Sequence, residues 1–166
     1  MRFCAALGVV LLSCNSAQAA FLTSGQKEEL LAAQNKYRVE IGVAPLAWSD
    51  QLSSGAQLWA DHLAHDVHRL QHSGAAATGE NLAMWTEGRA TLTGLVDLWG
   101  AEKSYFIEAS FPDVSSTGDW RTVGHYTQMI WGDTTEVGCG TATGGGYDYL
   151  VCRYAPQGNF MGQPVF

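Results

Sequence analysis

The chain is poor in basic residues and in long apolar runs, and each shortage excludes a class of protein. It carries 9 Lys and Arg residues against 16 Asp and Glu residues, for a net charge of −7. This balance argues against nucleic-acid binding and against attachment to acidic membrane surfaces, because both depend on clustered cations. No stretch reaches the roughly 20 apolar residues that a membrane-spanning helix needs.

The remaining composition is typical of one folded domain. Hydrophobic residues make up 46% of the chain, and the aromatic residues include 6 Trp, 6 Tyr and 6 Phe. This is far from the composition of a disordered chain. A length of 166 residues suits a single domain, and no internal repeat or low-complexity tract is present. We therefore expect a compact, acidic, aromatic-rich domain.

The first nineteen residues have the three parts of a secretory signal peptide. Met1–Phe3 is a short positive start, Cys4–Leu12 is apolar, and Ala17–Ala19 forms a small-x-small cleavage site. We expect cleavage after Ala19, leaving residues 20–166 as the domain of a secreted or periplasmic protein. An alternative is that Leu11–Cys14, which is similar to a bacterial lipoprotein box, makes Cys14 the site of a lipid anchor.

The mature chain would keep two of its four cysteines, Cys139 and Cys152. Two cysteines in an exported chain predict one disulfide bond between them. Residues 136–143 and 147–155 are predicted to be the two strands of a hairpin, joined by three glycines. If Thr141 pairs with Leu150 in this hairpin, Cys139 lies opposite Cys152, close enough for the bond to cross the ladder.

Three amphipathic helices are predicted ahead of the hairpin. The first begins at a capping box formed by Thr23 and Gln26 and runs to about Glu40. The second is capped by Ser49 or Asp50. The buried stripe of the first helix is predicted to be Leu30, Gln34, Tyr37 and Ile41. That of the second is Leu52, Ala56, Trp59, Ala60 and Leu63. That of the third helix is Leu92, Leu95, Val96 and Trp99. Helices packed on an antiparallel sheet make an α+β domain.

Two loops and one short helix are predicted for the remaining segments. Residues 72–90 and 108–120 are predicted to be loops, because glycine and polar residues interrupt them. His125–Trp131 is predicted to be a short helix. Trp48, Trp59, Trp99 and Trp131 fall at packing positions, whereas Tyr105, Phe106, Phe111 and Trp120 flank the second loop and are candidates for an apolar groove.

Two histidines and two carboxylates form a candidate metal-ligand set, namely His72, Glu80, Glu102 and His125. Imidazole and carboxylate are ligands that borderline divalent metals accept. Their spacing matches no short metal motif, so spacing alone is a weak signal. Glu102 is informative in another way, because it continues the apolar stripe of the third helix, where an unpaired carboxylate is costly.

A competing polar set lies around the end of the second helix. It consists of Asp61, His62, His65, Asp66 and His68. His62 and Asp66 are four residues apart and can face each other, but a solvated polar face is the simpler interpretation. Nucleophilic catalysis has little support, because no G-x-S-x-G motif is present and the two remaining cysteines are expected to be oxidised together.

Four sequence motifs resemble those of the CAP superfamily, which comprises cysteine-rich secretory proteins, antigen 5 and plant pathogenesis-related proteins. Gly124–Trp131 resembles the first signature and Tyr149–Phe160 the second. Gly79–Leu82 matches the short G-E-N motif, and Gln34–Arg38 matches the H-N-x-x-R motif except that Gln34 replaces histidine. The likeness spans about residues 24–166, and the low cysteine content makes the chain look like a bacterial single-domain member.

The resemblance implies a three-layer α–β–α sandwich with a central antiparallel sheet. It also implies an open cavity in which His72, Glu80, Glu102 and His125 bind a divalent metal, with Zn²⁺ the expected ion. The other matching motif positions are expected to support the cavity: Gln34, Asn35, Arg38, Asn81 and Gln128.

The resemblance favours a secreted, non-enzymatic binding module whose partner is a small lipid or sterol, held beside the cavity at a rim formed by residues 103–120. One alternative is a metal-assisted hydrolase with Glu80 or Glu102 as general base. Another is a structural or interaction domain without a small ligand. We expect a monomer or weak dimer in each case.

Overall fold

The computed structural model describes residues 21–166, and these form four helices and a four-stranded sheet. The helices are α1 (Ser24–Glu40), α2 (Asp50–His62), α3 (Leu92–Ala101) and α4 (Gly124–Met129). The strands are β1 (Ala47–Trp48), β2 (Gly79–Thr86), β3 (Glu136–Gly144) and β4 (Tyr147–Ala155). The predicted leader and the alternative lipidation site at Cys14 lie outside the described residues.

The predicted caps and the predicted hairpin are confirmed. Thr23 and Gln26 form the capping box that begins α1, and the Ser49 side chain caps α2. In the hairpin, Thr141 pairs with Leu150 and Cys139 with Cys152. The two cysteines form a disulfide with their Cα atoms 4.1 Å apart. The register in which Thr141 pairs with Leu150 is therefore the one that also brings the two cysteines opposite each other.

The sheet has the strand order β1–β3–β4–β2, with β4 paired to a strand on each side. The pairs made by β4 are antiparallel, and only the two-residue strand β1 runs parallel to its neighbour β3. Helix α2 covers one face of the sheet, where Ala56, Leu82 and Val151 lie in one buried cluster. Helices α1, α3 and α4 cover the other face. The result is the predicted α–β–α sandwich.

Three features of the prediction need correction. Residues 72–90 are not all loop, because β2 pairs with β4 along its whole length. Its sequence GENLAMWT lacks polar–apolar alternation since both faces of its middle are covered. Helix α3 ends at Ala101, so Glu102 opens a short 3₁₀ turn instead of continuing the helix. The segment 108–120 is not wholly a surface loop, because Phe111 and Val114 are buried in the core.

Within residues 21–166, no helix combines the length and the apolarity needed to cross a bilayer.

Glycines on β3 allow α2 to lie directly on the sheet. A Cβ atom at Gly138 would overlap the backbone of Ser53, and one at Gly140 would overlap the backbone of Gln57. Gly138 and Gly140 are two residues apart, so they face the same side of the sheet. The side chain of Gln57 then reaches the strand and bonds to both backbone groups of Thr141, at 2.7 and 3.1 Å. The glycine-rich hairpin is thus a packing surface for a helix.

Gly140→Ala is therefore expected to destabilise the fold by about 1–3 kcal/mol, because the added methyl group must push α2 away from the sheet. Gly25→Ala is the matched control, since Gly25 lies in the first turn of α1 and a Cβ atom there meets open space, and it is expected to change the free energy of unfolding by less than about 0.5 kcal/mol. Urea denaturation measures both. Equal effects of the two substitutions would contradict the packing role of Gly140.

Candidate functional site

A cavity of about 620 Å³ opens where the start of β2, helix α4 and the C-terminal segment meet. Its lining includes His72, Glu80 and His125, together with the aromatic side chains of Phe111 and Trp120. Glu102 does not line the cavity but lies behind His125. The structure therefore arranges the four predicted ligand residues as two separate histidine–carboxylate pairs, and both imidazoles line one cavity.

The pair formed by His125 and Glu102 is anchored on both sides. Glu102 Oε1 lies 2.7 Å from Nδ1 of His125, and Glu102 Oε2 accepts from the backbone N–H groups of His125 and Tyr126, each at 3.0 Å. The carboxylate thus satisfies amide groups in the first turn of α4, which have no partner within the helix. The imidazole also stacks on Trp99, with ring centroids 6.2 Å apart. Both the ring and its backbone are held.

The pair formed by His72 and Glu80 is held mainly through the carboxylate. Glu80 Oε1 lies 3.0 Å from Nδ1 of His72 and accepts from the Ser73 backbone N–H at 2.9 Å, while Oε2 accepts from the Ser73 hydroxyl at 2.6 Å. Register places Arg153 directly opposite Glu80, and its Nε is 3.4 Å from Oε2. Only 7% of the Glu80 side chain is exposed, against 64% for His72.

These contacts lower the pKa of the Glu80 carboxyl. Burial alone raises that pKa, but hydrogen bonds from His72 and from the side chain and backbone of Ser73 outweigh it. The carboxylate therefore stays ionised and accepts its hydrogen bonds at neutral pH.

In both pairs, Nδ1 of the imidazole faces a carboxylate, so Nε2 is the nitrogen left for a metal. This is the arrangement in which a carboxylate orients a metal-binding histidine without binding the metal itself. Among residues 21–166, no group of three or more His, Cys, Asp or Glu side chains is placed to hold an ion. A metal here would have two imidazole ligands from the chain and would complete its coordination with water or with a bound molecule.

The competing polar set stays on the surface. His62 Nδ1 lies 2.7 Å from Asp66 Oδ2, as their spacing allows; the His62 side chain is half-exposed and that of Asp66 is exposed. His65 and His68 join no metal-binding group within the described part of the chain. The solvated-face interpretation accounts for these residues.

The predicted support residues lie at two depths, some in the cavity lining and some in the core. Asn81 and Gln128 line the cavity. Asn81 donates to the His125 carbonyl at 3.0 Å, and Gln128 Oε1 accepts from the Gly158 N–H at 2.9 Å. Gln34 lies deeper and is fully buried. Asn35 instead braces the chain before β1 through two hydrogen bonds with the backbone of Leu46, at 2.7 and 3.0 Å.

Arg38 is a buried clamp below the cavity. Its guanidinium donates to the backbone carbonyls of Met129, Trp131 and Thr134, each at 2.9 Å, and to that of Ala44 at 2.6 Å. Burial lowers the pKa of Arg38 to about 10, which still leaves it charged at neutral pH. The segment that follows α4 is therefore tied to α1.

Of the four aromatic residues expected along a groove, Phe111 and Trp120 line the cavity, whereas Tyr105 and Phe106 lie outside its lining. Met161, from the C-terminal segment, adds an exposed apolar side chain to it. Sequence reasoning missed Met161 and also Ser73 and Arg153. Only the strand register could have indicated Arg153, as the residue opposite Glu80 once β2 is known to be a strand.

Comparisons with known proteins agree with this architecture. The model of the cysteine-rich secretory protein family, CAP, matches residues 31–154. Pathogenesis-related protein 1C of Nicotiana tabacum is 34% identical over 141 residues, covering 84% of this chain and 80% of that protein. Venom allergen 5.02 of Dolichovespula maculata is 31% identical over 171 residues, covering 87% of this chain and 78% of that protein. The chain therefore belongs to the CAP family.

A solved structure supports the fold independently. The crystal structure of NaASP2 with Zn²⁺ superimposes with a TM-score of 0.74 at 20% sequence identity, covering 88% of this chain and 87% of that one. The family resemblance and the α–β–α fold expected from the motifs are both confirmed.

Glu80→Gln is expected to lower the free energy of unfolding at pH 7 by about 1–3 kcal/mol, because the amide cannot accept from all the donors around it. Since folding lowers the pKa of Glu80 below its ordinary value of 4.5, the stability contributed by ionised Glu80 is present above that value. It is lost as pH falls through the folded-state pKa. The gap between the two proteins should therefore narrow from pH 6 to pH 3.

Urea denaturation at several pH values measures this gap. Glu28→Gln is the control, because Glu28 is exposed on α1, and it should follow the wild-type curve. A gap for Glu80→Gln that stays constant with pH would contradict the assignment.

Proposed function

We propose that this CAP-family protein is an exported, non-enzymatic binding module that holds a divalent cation, Zn²⁺, through His72 and His125. The observation that carries the proposal is that both imidazoles line one cavity while a carboxylate engages Nδ1 of each. Neutral imidazole suits zinc, and two protein ligands leave positions open. The similarity to the structure of NaASP2 with Zn²⁺ favours this ion.

Export is proposed from two observations. The first nineteen residues have the order of parts found in a signal peptide. The Cys139–Cys152 disulfide is typical of proteins that fold in an oxidising compartment.

Zinc titration by calorimetry tests the metal site. His72→Ala and His125→Ala should each weaken binding by at least about tenfold at pH 7.5, because each removes one of the two ligands. His62→Ala is the control, since His62 is half-exposed, pairs with Asp66 and lies outside the cavity lining. Binding should also weaken at pH 5, where protonation of imidazole competes with the metal.

Equal zinc affinity for the wild type and both site variants would refute the proposal. Purified protein, with and without a chelator, should also be scanned against peptide and ester substrates. Hydrolysis that is lost in the chelated protein and in both site variants would favour the metal-assisted hydrolase instead.

We also propose that the cavity takes a fatty acid or a sterol against its apolar wall. Phe111, Trp120 and Met161 supply that wall, and ligand pockets of this type combine apolar walls with a few polar groups. Of the expected rim at residues 103–120, Trp120 is therefore the candidate for contact, since Phe111 lies behind it in the core.

Displacement of a fluorescent fatty acid or sterol from the protein tests lipid binding. Trp120→Ala should weaken saturable binding by about tenfold, the loss expected when an aromatic anchor is truncated. Trp85→Ala is the matched control, because Trp85 is exposed and lies on β2 outside the cavity lining. Absence of saturable binding by the wild type would remove the lipid proposal and leave the metal site untouched.

A further inference from the structure

A series of buried hydrogen bonds runs from α1 to the backbone of His125. The Tyr154 hydroxyl donates to Gln34 Oε1 at 2.7 Å and accepts from Asn81 Nδ2 at 3.2 Å. The same Asn81 amide group donates to the carbonyl of His125 at 3.0 Å. Gln34 and Tyr154 are fully buried and Asn81 is 2% exposed, so both hydrogen bonds of the Tyr154 hydroxyl are shielded from water, whereas the bond to the His125 carbonyl is partly buried at the cavity.

The far end of this series is the disulfide. Gln34 Nε2 lies 3.6 Å from Sγ of Cys139 and 3.8 Å from Sγ of Cys152. The amide of Gln34 therefore turns its N–H groups to the sulfur atoms and its oxygen to Tyr154. A disulfide across the ladder gives this end a fixed position in the sheet.

The direction of every bond in the series is determined. The carbonyl of His125 can only accept, so Asn81 must donate to it. The oxygen of Gln34 also only accepts, so the Tyr154 hydroxyl must donate its proton there and accept from Asn81. Burial raises the pKa of Tyr154, although the hydrogen bond from Asn81 lowers it in part, so the hydroxyl keeps the proton that it donates.

Strand β2 connects this series to both halves of the cavity. Glu80 and Asn81 are consecutive, so their side chains leave the strand on opposite faces. Glu80 engages His72 on one side, and Asn81 holds the backbone of His125 on the other. The hydrogen bond from Asn81 therefore ties the element that carries His125 to the strand that carries the partner of His72.

We propose that Tyr154 and Gln34 are positioning residues for the metal site, acting through Asn81 to fix His125 relative to the His72–Glu80 pair. The inference rests on the proposed zinc-binding function. Without the Tyr154 hydroxyl, the Asn81 amide loses one of its two acceptors, so the donor to the His125 carbonyl is oriented less firmly. Both imidazoles would remain and Glu102 would still hold the ring of His125, but the backbone of α4 at His125 would be tied less firmly to β2, which carries Glu80.

Tyr154→Phe tests this role. Tyr149→Phe is the matched control, because Tyr149 lies on the same strand, is equally buried, and packs on the opposite sheet face. Its hydroxyl has no hydrogen-bond partner within residues 21–166. Zinc affinity is measured by calorimetry, and the imidazole signals of His125 are measured by NMR in the metal-free protein. Tyr154→Phe should weaken zinc binding about tenfold and shift the His125 signals, whereas Tyr149→Phe should do neither.

A lower melting temperature for Tyr154→Phe with unchanged zinc affinity and unchanged His125 signals would overturn the proposal, since the hydroxyl would then be merely structural. If the wild type binds no zinc but Tyr154→Phe still shifts the His125 signals, the zinc function fails while the positioning of His125 stands. Should Tyr154→Phe fail to fold, Gln34→Met removes the next hydrogen bond at similar side-chain volume, and the same two readouts decide.

Discussion

The pairing of strand β4 with a neighbour on each side sets the positions of the other elements. Along this strand, Cys152 lies opposite Cys139 of β3, and Arg153 lies opposite Glu80 of β2. A slip of one residue would turn every side chain of a strand to the wrong face. The disulfide, the ion pair at the cavity and the packing of α2 would then be lost together. One antiparallel register therefore links the core of the domain to its candidate site.

The two cavity histidines are held to different degrees. His125 has a carboxylate at its ring and its backbone and an indole beneath it, and 35% of its side chain is exposed. His72 is 64% exposed and is held through Glu80. Because fixing a side chain in advance reduces the entropy lost on binding, His125 is the prepared half of the site and His72 the adaptable half.

Much of the fold follows from local patterns in the sequence. The capping box at Thr23 predicted the start of α1, and a pairing of Thr141 with Leu150 in the predicted hairpin placed Cys139 opposite Cys152. The position of Glu102 on an apolar stripe indicated that its carboxylate needs a partner, which the backbone of α4 and His125 supply. The four candidate ligands, in contrast, were recognisable by residue type but gained support only from the family resemblance, because their spacing in the chain carries little information.

The remaining features depend on contacts between distant segments. Strand β2 lacks an alternating pattern, since its middle is covered on both faces, so its residues could not be distinguished from a loop. Arg153 became a partner of Glu80 only through the β2–β4 register. The role of Gln34 was open for the same reason: an amide on an apolar face signals a buried partner, but the chain alone does not name Tyr154.

The disulfide lies beneath the helices that cover one face of the sheet, with both cysteines fully buried. A thiol reductant must approach a sulfur atom to attack it, and in the folded domain the covering helices block that approach. Cleavage therefore has to wait until the covering layer transiently opens. The rate at which a reductant cleaves this bond under native conditions therefore reports local opening of the domain.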